Sequence, residues 1–340
     1  MALTASGTIK YSEIIAEFGT PNSGGLGEYR LSENVGSLTN LPLDTGVPQS
    51  GQIKFSDFYN KKLNHVVDLY SIGNSTTRQN AKDRWSNGNV HIVGSTKTGK
   101  TQPPDTVEDR VIINVNATIA SAKGTQTHCA LRTGNWDTNT TLEIEIGTSG
   151  KLYGSGGDGG TGGNANETAG TDGGTGSSAL GIQYPCTVNN LGVIQSGYGG
   201  GGGGGGNTRT TGGGKKGGAT TNGSSGGGGG GGAGLPAGSA GGVSTPLSAG
   251  GGSAGSAGGA GSLSGQATGG AGGSEAAAGG DSSLVNNSAT KADDGGTASG
   301  AASPGTGGNN GYAIITNQGS APSVTGNSAT GRIITSTNPT

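Results

Sequence analysis

One stretch of the chain spells a recognised chemical pattern. Gly94-Ser-Thr-Lys-Thr-Gly99-Lys100-Thr101 fits G-x-x-x-x-G-K-[ST] at every position. In a phosphate-binding loop the backbone N–H groups cradle the phosphates, the lysine reaches the terminal ones, and the hydroxyl holds Mg²⁺. Val90 to Val93 even reads as the strand that should lead in. The chemistry also needs a helix that starts at the Gly-Lys-Thr, so that its N-terminus faces the anion. Here Thr101-Gln102 runs into Pro103-Pro104, and each proline pushes the residue before it out of α geometry. The next apolar strand, Val111 to Val115, carries Asn114 and Asn116 where a Mg²⁺-holding acid belongs. The nucleotide site is therefore rejected. Gly94, Gly99, Lys100 and Thr101 are expected in a β-hairpin loop over residues 94–105, with no bound phosphate.

Other chemistry-bearing residues give no constellation. Glu143 and Glu145 lie two apart in Thr141-Leu-Glu-Ile-Glu-Ile146, which puts both on the polar face of one strand. The solvent face of a sheet is the simpler reading than a glycosidase pair. His65, His91 and His128 are scattered, without metal-ligand spacing. Cys129 and Cys186 read as two free thiols packed as small apolar groups. G-x-S-x-G and H-E-x-x-H are absent. The expectation is a protein without catalytic residues, metal or cofactor.

Composition narrows the class further. The net charge of −2 over 340 residues leaves no electrostatic footprint for nucleic acid. No apolar run is long enough to span a bilayer, and the start lacks the pattern of a secretory signal. Synthesis in a cytoplasm without Sec-type export is expected. Only 28% of residues are hydrophobic, while glycine numbers 79, most of it between Gly150 and Tyr312. One ordinary packed core cannot extend through such a chain.

The elements follow from this division. Residues 1–64 carry an internal echo, Ser6-Gly-Thr-Ile-Lys-Tyr-Ser-Glu13 and Ser50-Gly-Gln-Ile-Lys-Phe-Ser-Asp57. Each copy predicts a half-buried strand with Ile9 and Tyr11, or Ile53 and Phe55, on one face. A short helix capped by Ser12 or Ser56 follows in each. The result is a small α+β module. In residues 65–149 alternating segments such as Val111 to Ile119 are separated by turn clusters, which predicts an antiparallel β-sandwich around Trp85 and Trp136. In residues 150–312 glycine recurs in threes, as in "GGDGGTGGN" (Gly156–Asn164). Three residues per turn is polyproline II geometry, in which glycine-faced chains can bond to one another. Apolar islands at Leu152-Tyr153, Leu180 to Tyr184, Leu191 to Ile194 and Tyr312 to Ile315 distinguish the region from a plain flexible linker. A strand segment, 313–340, closes the chain. The fold class is mainly β, with a C-terminal polyglycine II bundle.

The echoed phrases resemble the N-terminal modules of bacteriophage virion proteins. The glycine-rich part, with "LGVIQSGYGGGGGGGG" and "GYAIIT", resembles phage tail-fibre and tail-tip adhesins. That resemblance implies a virion protein assembled in the host cytoplasm. Residues 1–64 would attach it to other tail proteins, and loops of a glycine bundle would meet a bacterial cell-surface receptor. Tyr198, Arg209, Lys215 and Lys216 are the candidate receptor contacts, being side chains with reach among glycines. It implies no nucleic-acid partner and no membrane insertion. A homotrimer is compatible with a fibre, but no heptads argue for one. A virion decoration without receptor binding, and an ice-binding stack of glycine-rich helices, remain open at this stage.

Overall fold

The computed structural model describes residues 3–75, 77–101, 110–163, 169–204, 207–211, 220–224, 228–241, 298–301, 303 and 305–340. Its N-terminal module holds a helix α1 (Tyr11–Phe18), a 3₁₀ turn (Leu26–Tyr29), a hairpin of β1 (Ser32–Val35) and β2 (Leu38–Pro42), and a second 3₁₀ turn (Phe55–Phe58). The two echoed phrases do adopt matching geometry, though not the expected one. Lys10 and Lys54 are extended N-cap residues rather than strand residues. Their backbone N–H groups donate to the carboxylates of Glu13 and Asp57, each at 2.7 Å. The acids, not Ser12 and Ser56, cap these turns, because a carboxylate three residues on reaches back to the N-cap amide. Phe18, Tyr29 and Phe58 pack edge to face with ring centroids 5.6–6.1 Å apart.

From Asn64 the chain winds through three parallel sheets. A first coil has β3 (Asn64–Asp68), a single bridge at Ser75 and β4 (Gln79–Asn80); α2 (Ala81–Ser86), β5 (Val90–Ile92) and a one-turn α3 (Ser95–Thr98) follow. The second coil is β6 (Arg110–Val115), β7 (Thr118–Ala120) and β8 (Cys129–Arg132). The third is β9 (Thr141–Ile146), β10 (Lys151–Tyr153) and β11 (Ser178–Ile182). The fourth begins with β12 (Cys186–Asn190) and β13 (Val193–Gln195). It resumes, after a small sheet of β14 (Asn207–Thr211), β15 (Thr220–Ser224) and β16 (Ala298–Ala301), with β17 (Tyr312–Thr316). The last coil is β18 (Ser323–Gly326), a bridge at Thr330 and β19 (Arg332–Ile334).

Like strands stack on like. The sheets run β3–β6–β9–β12–β18, β7–β10–β13 and β4–β8–β11–β17–β19, parallel throughout. Only β5 joins antiparallel, on the outer edge of β3. Inside, the side chains form ladders: Val67, Ile113, Ile144, Val188 and Val324 on the first sheet, Ile119, Leu152 and Ile194 on the second. All except the half-buried Val324 are almost fully buried. The first sheet's outer face carries Val66 and Ile112 into the core of the N-terminal module. That contact fixes the module to the first two coils.

The antiparallel sandwich is thereby corrected to a parallel coil. Alternation reports that each strand buries one face; it does not report the direction of the partner. The corners are as short as hairpin turns, Asn116-Ala117 or Leu191-Gly192, so they read alike. The apolar islands within the glycine half are β10, β11, β13 and β17, and they complete this same core. Trp85 and Trp136 do lie in it, edge to face at 5.5 Å.

Candidate functional site

The phosphate-loop look-alike can be judged on its described part, residues 90–101. Residues 102–109, including Pro103 and Pro104, lie outside the described residues. The helical turn α3 ends at Thr98, before the Gly-Lys-Thr, with Gly94 and Gly99 both left-handed at its two ends. The Gly94 N–H donates to the Glu33 carboxylate at 2.6 Å, and the same oxygen meets His91 Nε2 at 2.8 Å. Lys100 Nζ donates to the Ala16 carbonyl. Two donors of the pattern, the Gly94 amide and the Lys100 ammonium, thus have partners within this chain. The expected hairpin is also corrected: β5 and β6 flank β3 on opposite sides and do not pair with each other.

Glu143 and Glu145 lie on the outer face of β9. Arg110 pairs with Glu143 at 2.8 Å, and Asn189 donates to Glu145 at 2.8 Å. Burial pushes the Glu145 carboxyl above its usual range. His65 is buried against Trp85, with centroids 5.3 Å apart, and burial lowers it to about 4. Cys129 and Cys186 are free, and burial pushes both thiols up to about 12.

The glycine half is an outgrowth of two coils. Residues 154–177 fill the corner between β10 and β11, and residues 196–311 the corner between β13 and β17. Six described runs emerge, at 154–163, 169–177, 196–204, 228–234, 235–241 and 305–311. None is helix or strand, and their hydrogen bonds go to one another. Gly157, Gly160 and Gly163 donate to the carbonyls of Tyr198, Gly201 and Gly204 at 2.7–2.8 Å. Gly197, Gly200 and Gly203 donate to Ser177, Gly174 and Thr171 at 2.8–2.9 Å. Gly305, Gly308 and Gly311 donate to Gly203, Gly200 and Gly197 at 2.7–2.8 Å. Donors to one neighbour recur every third residue, and the residue beside each serves another run: Gly156 donates to Pro236 while Gly157 donates to Tyr198.

Such an approach leaves room for hydrogen alone. A Cβ on Gly200 would lie 2.0 Å from the Asp158 carbonyl oxygen, and one on Gly308 2.0 Å from that of Gly174. Side chains at the remaining positions clasp neighbouring runs. The Asp158 carboxylate accepts from Ser239 N at 2.6 Å and from Lys123 Nζ at 2.6 Å, tying two runs to a loop of the coil. Burial alone would raise that carboxyl, but the Lys123 and Ser239 donors outweigh it and hold it below its usual range. Asp172 accepts from Thr306 N at 2.7 Å and its hydroxyl at 2.9 Å, which lowers its carboxyl too. The sequence reading passed over both acids. Their signal is an acid followed directly by a glycine pair, Asp158-Gly-Gly and Asp172-Gly-Gly.

The pairing fixes which end of the runs lies away from the coils, called the free end below. Gly154 and Ser177 adjoin β10 and β11, whereas Gly163 meets Gly204 and Gly170 meets Ser303 at the far end. From that end β14 continues, paired antiparallel with β15 and β16. Arg209 lies in β14, opposite Asn222 and Ala298. Lys215 and Lys216 lie outside the described residues. Tyr198 is at the opposite end, close to β13. Its N–H donates to Ala233 at 2.9 Å, and only 3% of it is exposed. It is corrected from a surface contact to a packed residue at the base, because the runs close over it.

The family model described as phage tail fibre adhesin Gp38 matches residues 86–334. The chain belongs to that family. It is a tail fibre adhesin of a bacteriophage, and its place is the virion tail. Among solved structures, the gp37-gp38 adhesin tip complex of the bacteriophage S16 long tail fibre is similar at a TM-score of 0.40 and 19% identity, over 97% of this chain and 100% of that one. No curated protein sequence matches.

Proposed function

We propose that the glycine half is a polyglycine II bundle and that its free end carries the receptor-binding surface of the adhesin. The carrying observation is the three-residue recurrence of inter-run hydrogen bonds. That step belongs to an extended three-fold chain whose successive residues face different neighbours. A bundle of this kind is stiff, and its inward positions carry no side chains. The surface comprises β14 to β16 and the segments joining the run ends there, with Arg209, Lys215 and Lys216 as its cationic contacts. The role is binding, not catalysis.

Residues 1–64 are proposed as the attachment module for another tail fibre protein. They have their own aromatic core, and the family match begins after them, at residue 86. The coils between are the spacer that holds the bundle.

The test is adsorption. Purified chain should compete with phage for host cells. A chain carrying Arg209→Ser, Lys215→Ser and Lys216→Ser together should lose that competition while keeping its thermal transition. Unchanged competition on every host would remove Arg209, Lys215 and Lys216 from the contact set.

A further inference from the structure

A second site lies on the flank of the coils, away from the glycine runs' free end. Thr77, Arg78, Gln79, Asn80, Asp83, Ala122 and Arg132 line an open cleft of about 370 Å³. The fold builds it deliberately. The two-residue strand β4 pairs with the end of β8, setting Asn80 beside Arg132. The Asn80 side chain accepts from Lys82 N at 3.1 Å. That bond starts α2, and its first turn carries Asp83. Two arginines and one aspartate therefore line a single cleft, Arg78 and Asp83 exposed and Arg132 half-buried. None of the three forms an ion pair among the described residues.

Among the described residues, Arg110 is paired with Glu143 and Lys123 with Asp158. The cleft carries two arginines against one aspartate, a net positive charge that favours an anion. Each guanidinium offers a planar fork suited to the oxygens of a phosphate or carboxylate. The remaining lining, an acid, two amides and a hydroxyl, supplies acceptors and donors for hydroxyl groups. The volume lies in the range of small-molecule sites, but the walls are polar where such sites are mostly apolar. A hydrated ligand with an anionic group and several hydroxyls satisfies both conditions.

We propose that this cleft binds an anionic saccharide, with Arg78 and Arg132 on its phosphate or carboxylate and Asp83 on its hydroxyls. It would give the adhesin a contact with sugar on its flank, independent of the bundle's free end.

Calorimetric titration of the full chain tests this with three probes: glucose 6-phosphate, glucuronate and inorganic phosphate. Saturable binding of at least one of the two sugars is expected, tighter than that of inorganic phosphate and weakened by salt. The sugar that binds identifies phosphate or carboxylate as the preferred anion. Arg132→Gln and Arg78→Gln should each weaken it by about tenfold, the scale of one charge-assisted hydrogen-bond pair. Asp83→Asn should weaken the sugar probe and leave inorganic phosphate unchanged. The thermal transition of each variant, unchanged from the parent, shows that the fold persists. Absence of saturable binding by either sugar overturns the site, as does binding indifferent to both arginine variants. Equal affinity for sugar and inorganic phosphate, with no effect at Asp83, reduces it to an adventitious ion only and overturns the saccharide assignment. Competition with phage is read separately, so failure here leaves the adhesin reading standing.

Discussion

The coils and the glycine runs solve one problem in opposite ways. Both stack extended chain beside extended chain and satisfy the backbone sideways. In the coils, strands such as β6, β9 and β12 use two neighbours and alternate faces, so half the side chains are free to build a core. Ile113, Ile144 and Val188 stack there in register. In the runs, successive residues serve different neighbours, as Gly156 and Gly157 do. A chain bonded on several sides has no face left for a side chain, and the hydrophobic effect has little to act on. Hydrogen bonding and close backbone contact hold it instead. Glycine is therefore the only residue suited to the inward positions, which explains a composition that cannot support an ordinary core.

This contrast can be broken at several points. The largest effect is expected in the coils. Trp85→Ala should cost about 3–5 kcal/mol by opening a cavity beneath Trp136 and His65, read as a fall in the denaturant midpoint. Acid comes next. His65 titrates at about 4 in the folded protein against about 6.5 unfolded. Its contribution is fully present above pH 6.5 and is lost as pH falls towards 4, up to about 3 kcal/mol. A His65→Phe variant should show a flatter stability profile across that window. In the runs, Gly308→Ala should cost roughly 1–3 kcal/mol, because the new methyl meets a carbonyl that cannot turn aside. Limited proteolysis should find cuts in the glycine half before the coils; equal loss in both would show that the two parts unfold as one. The smallest effect is expected for Lys123→Met, about 0.5 kcal/mol, since the Asp158 pair it removes is partly exposed. Its loss should shrink further in high salt.

What was legible in the sequence follows the same division. The glycine step was visible because nothing but glycine fits there, so the pattern is written at every third position. The bond from the Gly94 N–H to Glu33 was not legible, because Glu33 lies on β1 and meets Gly94 only through the tertiary fold. The coil was hidden by its own insertions. Lys151 to Tyr153 and Val193 to Gln195 are stacked neighbours, but residues 154–177 and 196–311 interrupt the repeat and disguise its period. Tyr198 was misread because an aromatic among glycines looks exposed, whereas a run bonded on several sides buries it. Arg209 was placed on a loop and lies in β14.

The three-residue step also sets how such a chain can change over time. In the proposed three-fold geometry, losing one residue from a run turns everything beyond it by a third of a circle. A side chain such as that of Asp158 or Thr171 would then face a neighbour's backbone. Losing three keeps every residue facing as before and only shortens the run by one layer. Length changes within the runs should therefore be tolerated in triplets of residues, while the joining segments at the free end can vary without that restriction. On the proposed reading, a lineage can thus rewrite its contacts with the host quickly, on a support that accepts only whole layers.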